Sequence, residues 1–134
     1  MEVDVAVYAV KVFRRWMQKE GLADRDICCA VVEMSRGLID ARLGRGLFKK
    51  RIARNGQGKR GAYRTIVATL ESGHWFFIYG FAKSDQENIS SLKEVHCRLA
   101  ARQLLSMNAE QREDQVAIGE LSKVECHAQV SKPL

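Results

Sequence analysis

The segment "HWFFIYGFA", residues 74–82, constrains the fold more than any other part of the chain. Successive side chains of a strand point to opposite faces, and here neither face carries a charge. Such a strand needs cover on both sides, so it belongs at the centre of a sheet or in a well-covered position. Two further runs rich in β-branched and aromatic residues precede it, "GLFKKRIA" (46–53) and "AYRTIVATL" (62–70). They are joined by the glycine-rich "RNGQGKRG" and by "ESG", which predicts a three-stranded meander.

The rest of the chain supplies helices. Residues 3–10 read as a short strand, with Val3, Val5 and Val7 alternating with Asp4 and Ala6. A helix follows to about Glu20, with Phe13, Trp16 and Met17 on one face and Gly21 closing it. Asp24 is the expected N-cap of a second helix, in which Ile27, Val31, Met34 and Leu38 recur at helical spacing. Ser91 and Glu94 form a capping-box pattern for a helix to about Met107; Asn108 and Gln111 repeat it for a last helix ending at Gly119. The tail "ELSKVEC" suits a short edge strand. The expected architecture is α+β, a small, mainly antiparallel sheet with helices segregated on it. Residues 1–134 form a single domain, too short for two independent cores.

With 46% hydrophobic residues and a single proline, the chain reads as globular, not disordered. Its apolar runs are too short for a membrane span, and its N-terminus lacks signal-peptide features. These features lead us to expect a cytoplasmic location. The cysteines Cys28, Cys29, Cys97 and Cys126 suit no disulfide framework. His96, Cys97, Cys126 and His127 lack the paired short spacing of a zinc site, so buried or incidental thiols are the better reading and no metal is expected.

Charge points to function. Residues 41–70 hold Arg42, Arg45, Lys49, Lys50, Arg51, Arg54, Lys59, Arg60 and Arg64 with no acidic residue. That leaves 13 of the chain's 22 basic residues against all 16 acidic ones elsewhere, so the net charge of +6 is local in origin. A local excess marks a candidate polyanion site. Lys49 and Arg51 share one strand face, with Arg64 beside them if the register allows. Phe48, Lys50 and Ile52 face the helices, where the Lys50 stem can snorkel to the edge. The loop adds Arg54, Lys59 and Arg60, with Gly56, Gly58 and Gly61 permitting close approach of a ligand. Lys50, Arg54, Lys59 and Arg60 are the expected RNA-binding cations. Tyr63 is the stacking candidate, unless it packs inward; Trp16 and Trp75 read as core.

Phosphate-binding and dinucleotide-binding loops are excluded, because GxxxxGK[ST] is absent and no helix follows the glycines. His74, His96 and His127 are scattered off the basic strands, and no Ser-His-Asp arrangement is available. Cation-based catalysis remains. Crowded like charges favour the unprotonated form of an amine, which can then accept the proton of a ribose 2′-hydroxyl. Guanidinium groups suit the oxygens of a pentavalent phosphorane.

The stretches "GLIDARLGRGLFKKRIARNGQGKRGAYRTIVA", "WFFIYGFAKSDQENI" and the late "GEL", spanning about Phe13 to Val124, resemble the RelE/ParE superfamily of type II toxins. The branch that they resemble is the RelE-like one paired with helix-turn-helix antitoxins. The resemblance implies two N-terminal helices on an antiparallel sheet. It also implies a metal-independent, cofactor-free mRNA interferase that cuts A-site codons on the 70S ribosome by 2′-hydroxyl attack and is held by a cognate antitoxin. Lys49, Arg51, Arg64 and Lys83 match the basic catalytic positions. Ser84 and Ile89 depart from the pattern, leaving the proton donor for the 5′-oxygen to Lys83, Arg60 or Tyr79. Ala62 departs too, at a glycine usual in this branch. Two alternatives stay open: a ParE-like poison of DNA gyrase, and a non-catalytic nucleic-acid-binding domain of the same fold.

Overall fold

The computed structural model describes residues 5–54, 58–70, 73–83 and 88–126, with the side chains of residues 54 and 58–61 outside the description. Its elements run β1 (Val7–Val10), α1 (Lys11–Glu20), α2 (Asp24–Ser35), β2 (Ala41–Gly44), β3 (Leu47–Arg54), β4 (Gly58–Thr69), β5 (Trp75–Ala82), α3 (Ser91–Ser106), α4 (Ala109–Ala117) and β6 (Leu121–Val124). The strands form one sheet in the order β2-β3-β4-β5-β1-β6.

The meander is present as β3-β4-β5, and β2 adds a short antiparallel edge beside β3. The sheet is mixed, because β1 pairs parallel to β5 and antiparallel to β6. Val7, Tyr8 and Ala9 are all buried, so β1 is covered on both faces despite its alternating sequence pattern.

Helices cover both faces of this sheet. On the first, Phe13, Met17, Ile27, Val31 and Met34 of α1 and α2 join Phe48, Ile52, Tyr63, Val67 and Phe77 in one core. On the second, Cys97, Ala101 and Leu104 of α3 join Leu47, Ile66, Ala68, Phe76 and Ile78. The expected segregation of helices therefore gives way to a layered arrangement. The reason lies in the strands, whose two faces are both too apolar to leave wet. A shift between Ile66 and Val67 in the β4–β5 pairing places Tyr79 opposite Ile66. Gly80 lies under α1, where an added Cβ would come within 2.4 Å of the Trp16 ring.

Several local expectations change. Gly21 closes α1 in the left-handed conformation, φ 77°, as its position suggested. The N-cap of α2 is Ala23, not Asp24, and the Ala23 N–H donates to the Asp26 carboxylate at 2.8 Å. Leu38 falls beyond the end of α2 and is exposed, because the chain turns away at Gly37. Ser90, one residue earlier than expected, caps α3 by accepting the Lys93 N–H at 3.1 Å. Asn108 and Gln111 cap α4 reciprocally.

The C-terminal strand is fastened to the helical layer. Arg14 donates to Ser122 Oγ and the Lys123 carbonyl, and pairs with Asp24 at 2.5 Å. The Asp24 carboxylate also accepts the Glu125 N–H at 2.8 Å. Partial burial works to raise the Asp24 carboxyl, but these hydrogen bonds and the Arg14 charge outweigh it and hold it below its ordinary value. Cys28 of α2 and Cys126 form a disulfide across 98 residues. This corrects the reading that the cysteines suit no disulfide: the two lie far apart in sequence and meet only because β6 returns beside α2. Among the described residues, no helix is long and apolar enough to cross a membrane.

Candidate RNA-cleavage site

Strand register decides which cations meet. Leu47 lies in the core under α3, while Phe48 and Ile52 lie in the core under α1 and α2. By alternation Lys49 and Arg51 take the α3 face, and Lys50 takes the other. On β4, Ile66 and Ala68 face α3, so Arg64 does too. The register sets Arg51 directly opposite Arg64, and Lys49 opposite Ile66. Arg64 in turn lies opposite Phe81, and Ile66 opposite Tyr79. Lys49, Arg51 and Arg64 thus gather on one side of the sheet, the side that α3 packs against.

Like charges directly opposite on neighbouring strands repel. Arg64 Nη1 is moreover buried without a hydrogen-bond partner among the described residues. Leaving such a donor unsatisfied costs about 1–3 kcal/mol. Arg51 is exposed, Lys49 is half-buried, and the described ion pairs use neither. The Asp40 carboxylate accepts the Arg51 backbone N–H at 2.5 Å, which fixes the strand and leaves the guanidinium uncommitted to that contact.

Aromatic rings and a further cation complete the surroundings. Tyr79 and Phe81 have ring centroids 5.8 Å apart, and Lys93 Nζ sits 4.8 Å above the Tyr79 ring. Lys93 was missed by sequence reasoning, which saw only its place in a helix cap. It reaches the site because the first turn of α3 lands over β5, something no local pattern announces. Lys83 follows β5 at the same end of the sheet, exposed, its N–H donating to Ala62 at 3.4 Å.

Two of the expected RNA-contacting side chains, Lys50 and Tyr63, are buried within the fold. Lys50 is only 6% exposed, pairs with Glu33 at 2.8 Å and donates to the Leu38 carbonyl at 3.0 Å. Its ammonium is consumed in tying β3 to α2 and the turn after it, instead of snorkelling to the edge. Tyr63 packs inward, edge-on to Trp16, and its hydroxyl donates to Glu20 at 3.1 Å. This is the inward packing that the sequence left open, and it follows because odd-numbered positions of β4 face α1. The side chains of Arg54, Lys59 and Arg60, and Ser84, lie outside the described residues. Cys97 lies on the core-facing side of α3, where burial pushes its thiol up to about 11, while Cys126 is bonded to Cys28 against the opposite core.

One face of this mixed sheet thus brings together the cations Lys49, Arg51 and Arg64, none of which takes part in a described ion pair. Residues 5–124 match the family described as RelE toxin of RelE / RelB toxin-antitoxin system. The chain belongs to that family of toxins. No curated protein matches it individually.

Proposed function

We propose that this single-domain toxin is an mRNA endoribonuclease that works in the ribosomal A site in the cytoplasm and is neutralised by a cognate antitoxin of the helix-turn-helix type. The observation that carries the reading is the opposition of Arg51 and Arg64, with a buried guanidinium nitrogen that has no partner among the described residues. A phosphodiester placed between them supplies the missing acceptors and relieves the repulsion at once. Membership of the RelE family, whose members cut RNA, supports the same reading.

In this reading Lys49 takes the proton of the 2′-hydroxyl as its oxygen attacks phosphorus. Arg51 and Arg64 hold the non-bridging oxygens as negative charge builds on them. The bond from phosphorus to the 5′-oxygen breaks, leaving a 2′,3′-cyclic phosphate on one fragment. Lys83 or Tyr79 returns a proton to the departing 5′-oxygen. No step needs a metal, and the ribosome's part is to present a single-stranded codon in the bent geometry that in-line attack requires.

Induced expression in bacteria should stop protein synthesis, with primer extension showing new 5′ ends inside translated codons. Arg64→Ala should restore growth and full-length messages. Growth arrest with intact mRNA, or a DNA-damage response instead, would move the chain to the gyrase-poison class and refute the proposal.

A further inference from the structure

The outer side of α3 carries apolar groups that the fold does not use. Leu92, Val95 and Leu99 are 68%, 46% and 53% exposed and recur at i, i+3 and i+7, opposite the core-facing Cys97, Ala101 and Leu104. Single exposed leucines are ordinary, but a continuous stripe is not. Alongside it runs a groove of about 460 Å³ between α3 and the β2–β3 turn, with Leu47, Leu70, Ala101 and Leu105 in its lining and Arg45, Arg98 and Arg102 around it. Arg98 is held in place by two bonds to the Leu43 carbonyl, 3.1 and 3.0 Å, and by Glu94. Glu94 is the one acidic residue in α3, and the described ion pairs use neither Arg45 nor Arg102.

From this pairing of stripe and arginines, we infer that the outer side of α3 and the adjoining groove form a docking surface for an acidic amphipathic helix of a partner protein. The apolar stripe asks for a helix with leucine-like residues at matching spacing, and the arginines ask for carboxylates along its flank. A second copy of this chain is a poor occupant. A two-fold interface sets the same patch against itself, bringing the arginines of each copy together. Nucleic acid is a poor occupant too, because it leaves the leucines wet. The inference rests on the toxin reading only in naming the antitoxin as the protein that supplies the helix.

The test is a titration of the ¹⁵N-labelled full chain with a synthetic helical peptide of about 20 residues, long enough to hold helix on the surface. The peptide carries leucines at i, i+3 and i+7 with glutamates beside them; a second peptide has lysines in their place. The glutamate peptide should shift the amides of residues 92–106 and 44–47, and the lysine peptide should not. Leu99→Glu and Arg102→Glu should each weaken binding by about tenfold, a loss of about 1.4 kcal/mol. Arg102→Glu should also begin to bind the lysine peptide, which shows that the variant is folded. Equal binding of both peptides, or shifts confined to residues 49–64, would overturn the proposal. So would single-stranded RNA shifting the α3 amides in place of the peptide, or a dimer of the free chain that Leu99→Glu dissociates. Because the titration reads binding alone, absence of RNA cleavage by the wild type would sink the nuclease reading without touching this one.

Discussion

Arg51→Gln should make the protein more stable and less active, and the two signs together test the geometry of the site. Arg51 stands directly opposite Arg64 across β3 and β4. A like-charged pair in that position costs about 0.2–1 kcal/mol. The substitution keeps the side chain's polar character while removing the charge, and it spares the Asp40 contact, which uses the Arg51 backbone N–H. With an unfolding entropy of about 2.1 cal/mol/K per residue over this length, the melting temperature should rise by about 1–4 °C. Thermal melts should show the rise in low salt and its disappearance near 1 M, where the Debye length shrinks to about 3 Å. Cleavage of translated mRNA should fall by about 100-fold or more, the scale of losing one group that holds developing negative charge. A variant that melts lower than wild type, or that melts higher by the same amount in all salts, would mean that the two guanidiniums do not face each other. The proposed phosphate clamp would go with them.

Gly80→Ala reverses the usual expectation that alanine improves a strand by about 0.5–1 kcal/mol. The new Cβ would meet the Trp16 ring at 2.4 Å, so overpacking should instead cost about 1–3 kcal/mol and lower the melting temperature by several degrees. Trp16→Leu in the same background should recover part of that loss, and an unchanged melt for Gly80→Ala alone would refute the packing of α1 on β5. Breaking the Cys28–Cys126 bond with a thiol reductant releases a loop of 98 residues and should cost up to about 4–5 kcal/mol. The Cys28→Ala/Cys126→Ala double variant should then melt at one temperature with or without reductant; a wild-type melt indifferent to reductant would contradict the cross-link. Asp24, whose carboxyl is held below its ordinary value, stabilises the fold above the unfolded-state pKa of about 3.9 and ceases to do so as pH falls through its lower folded value. Asp24→Asn should therefore be less stable than wild type at neutral pH, with the gap narrowing as pH falls below about 4; a gap that stays the same size through acid would exclude this origin.

The meander, the helix caps at Gly21 and Asn108, and the core residues Phe13, Met17, Ile27 and Val31 were legible in the sequence. Each follows from contacts within a few residues: a period of two or of about 3.6, a glycine able to adopt positive φ, a side chain reaching a nearby backbone N–H. The parallel pairing of β1 with β5, the β2 edge and the disulfide were not legible. The β1–β5 pairing and the disulfide join segments whose separation along the chain erases any local signal, whereas β2 lies two residues from β3 but is only four residues long. Lys50 shows the same limit at the scale of one residue. Its neighbours told which face it occupies, but only the position of Glu33 on α2 shows that its charge is spent inside the fold.

The acid-free run between residues 41 and 70 set the protein's chemistry, because charge is a property of composition and survives any rearrangement of the chain. Folding sorted that charge into uses. Strand alternation sent Lys50 to an internal ion pair and Lys49 with Arg51 to the α3 side, and hydrogen-bond register placed Arg64 across from Arg51. A one-residue slip between β3 and β4 would have paired different side chains and sent one set to the other face. Register depends on the packing of the whole sheet between its two helical layers, and no stretch of sequence contains it.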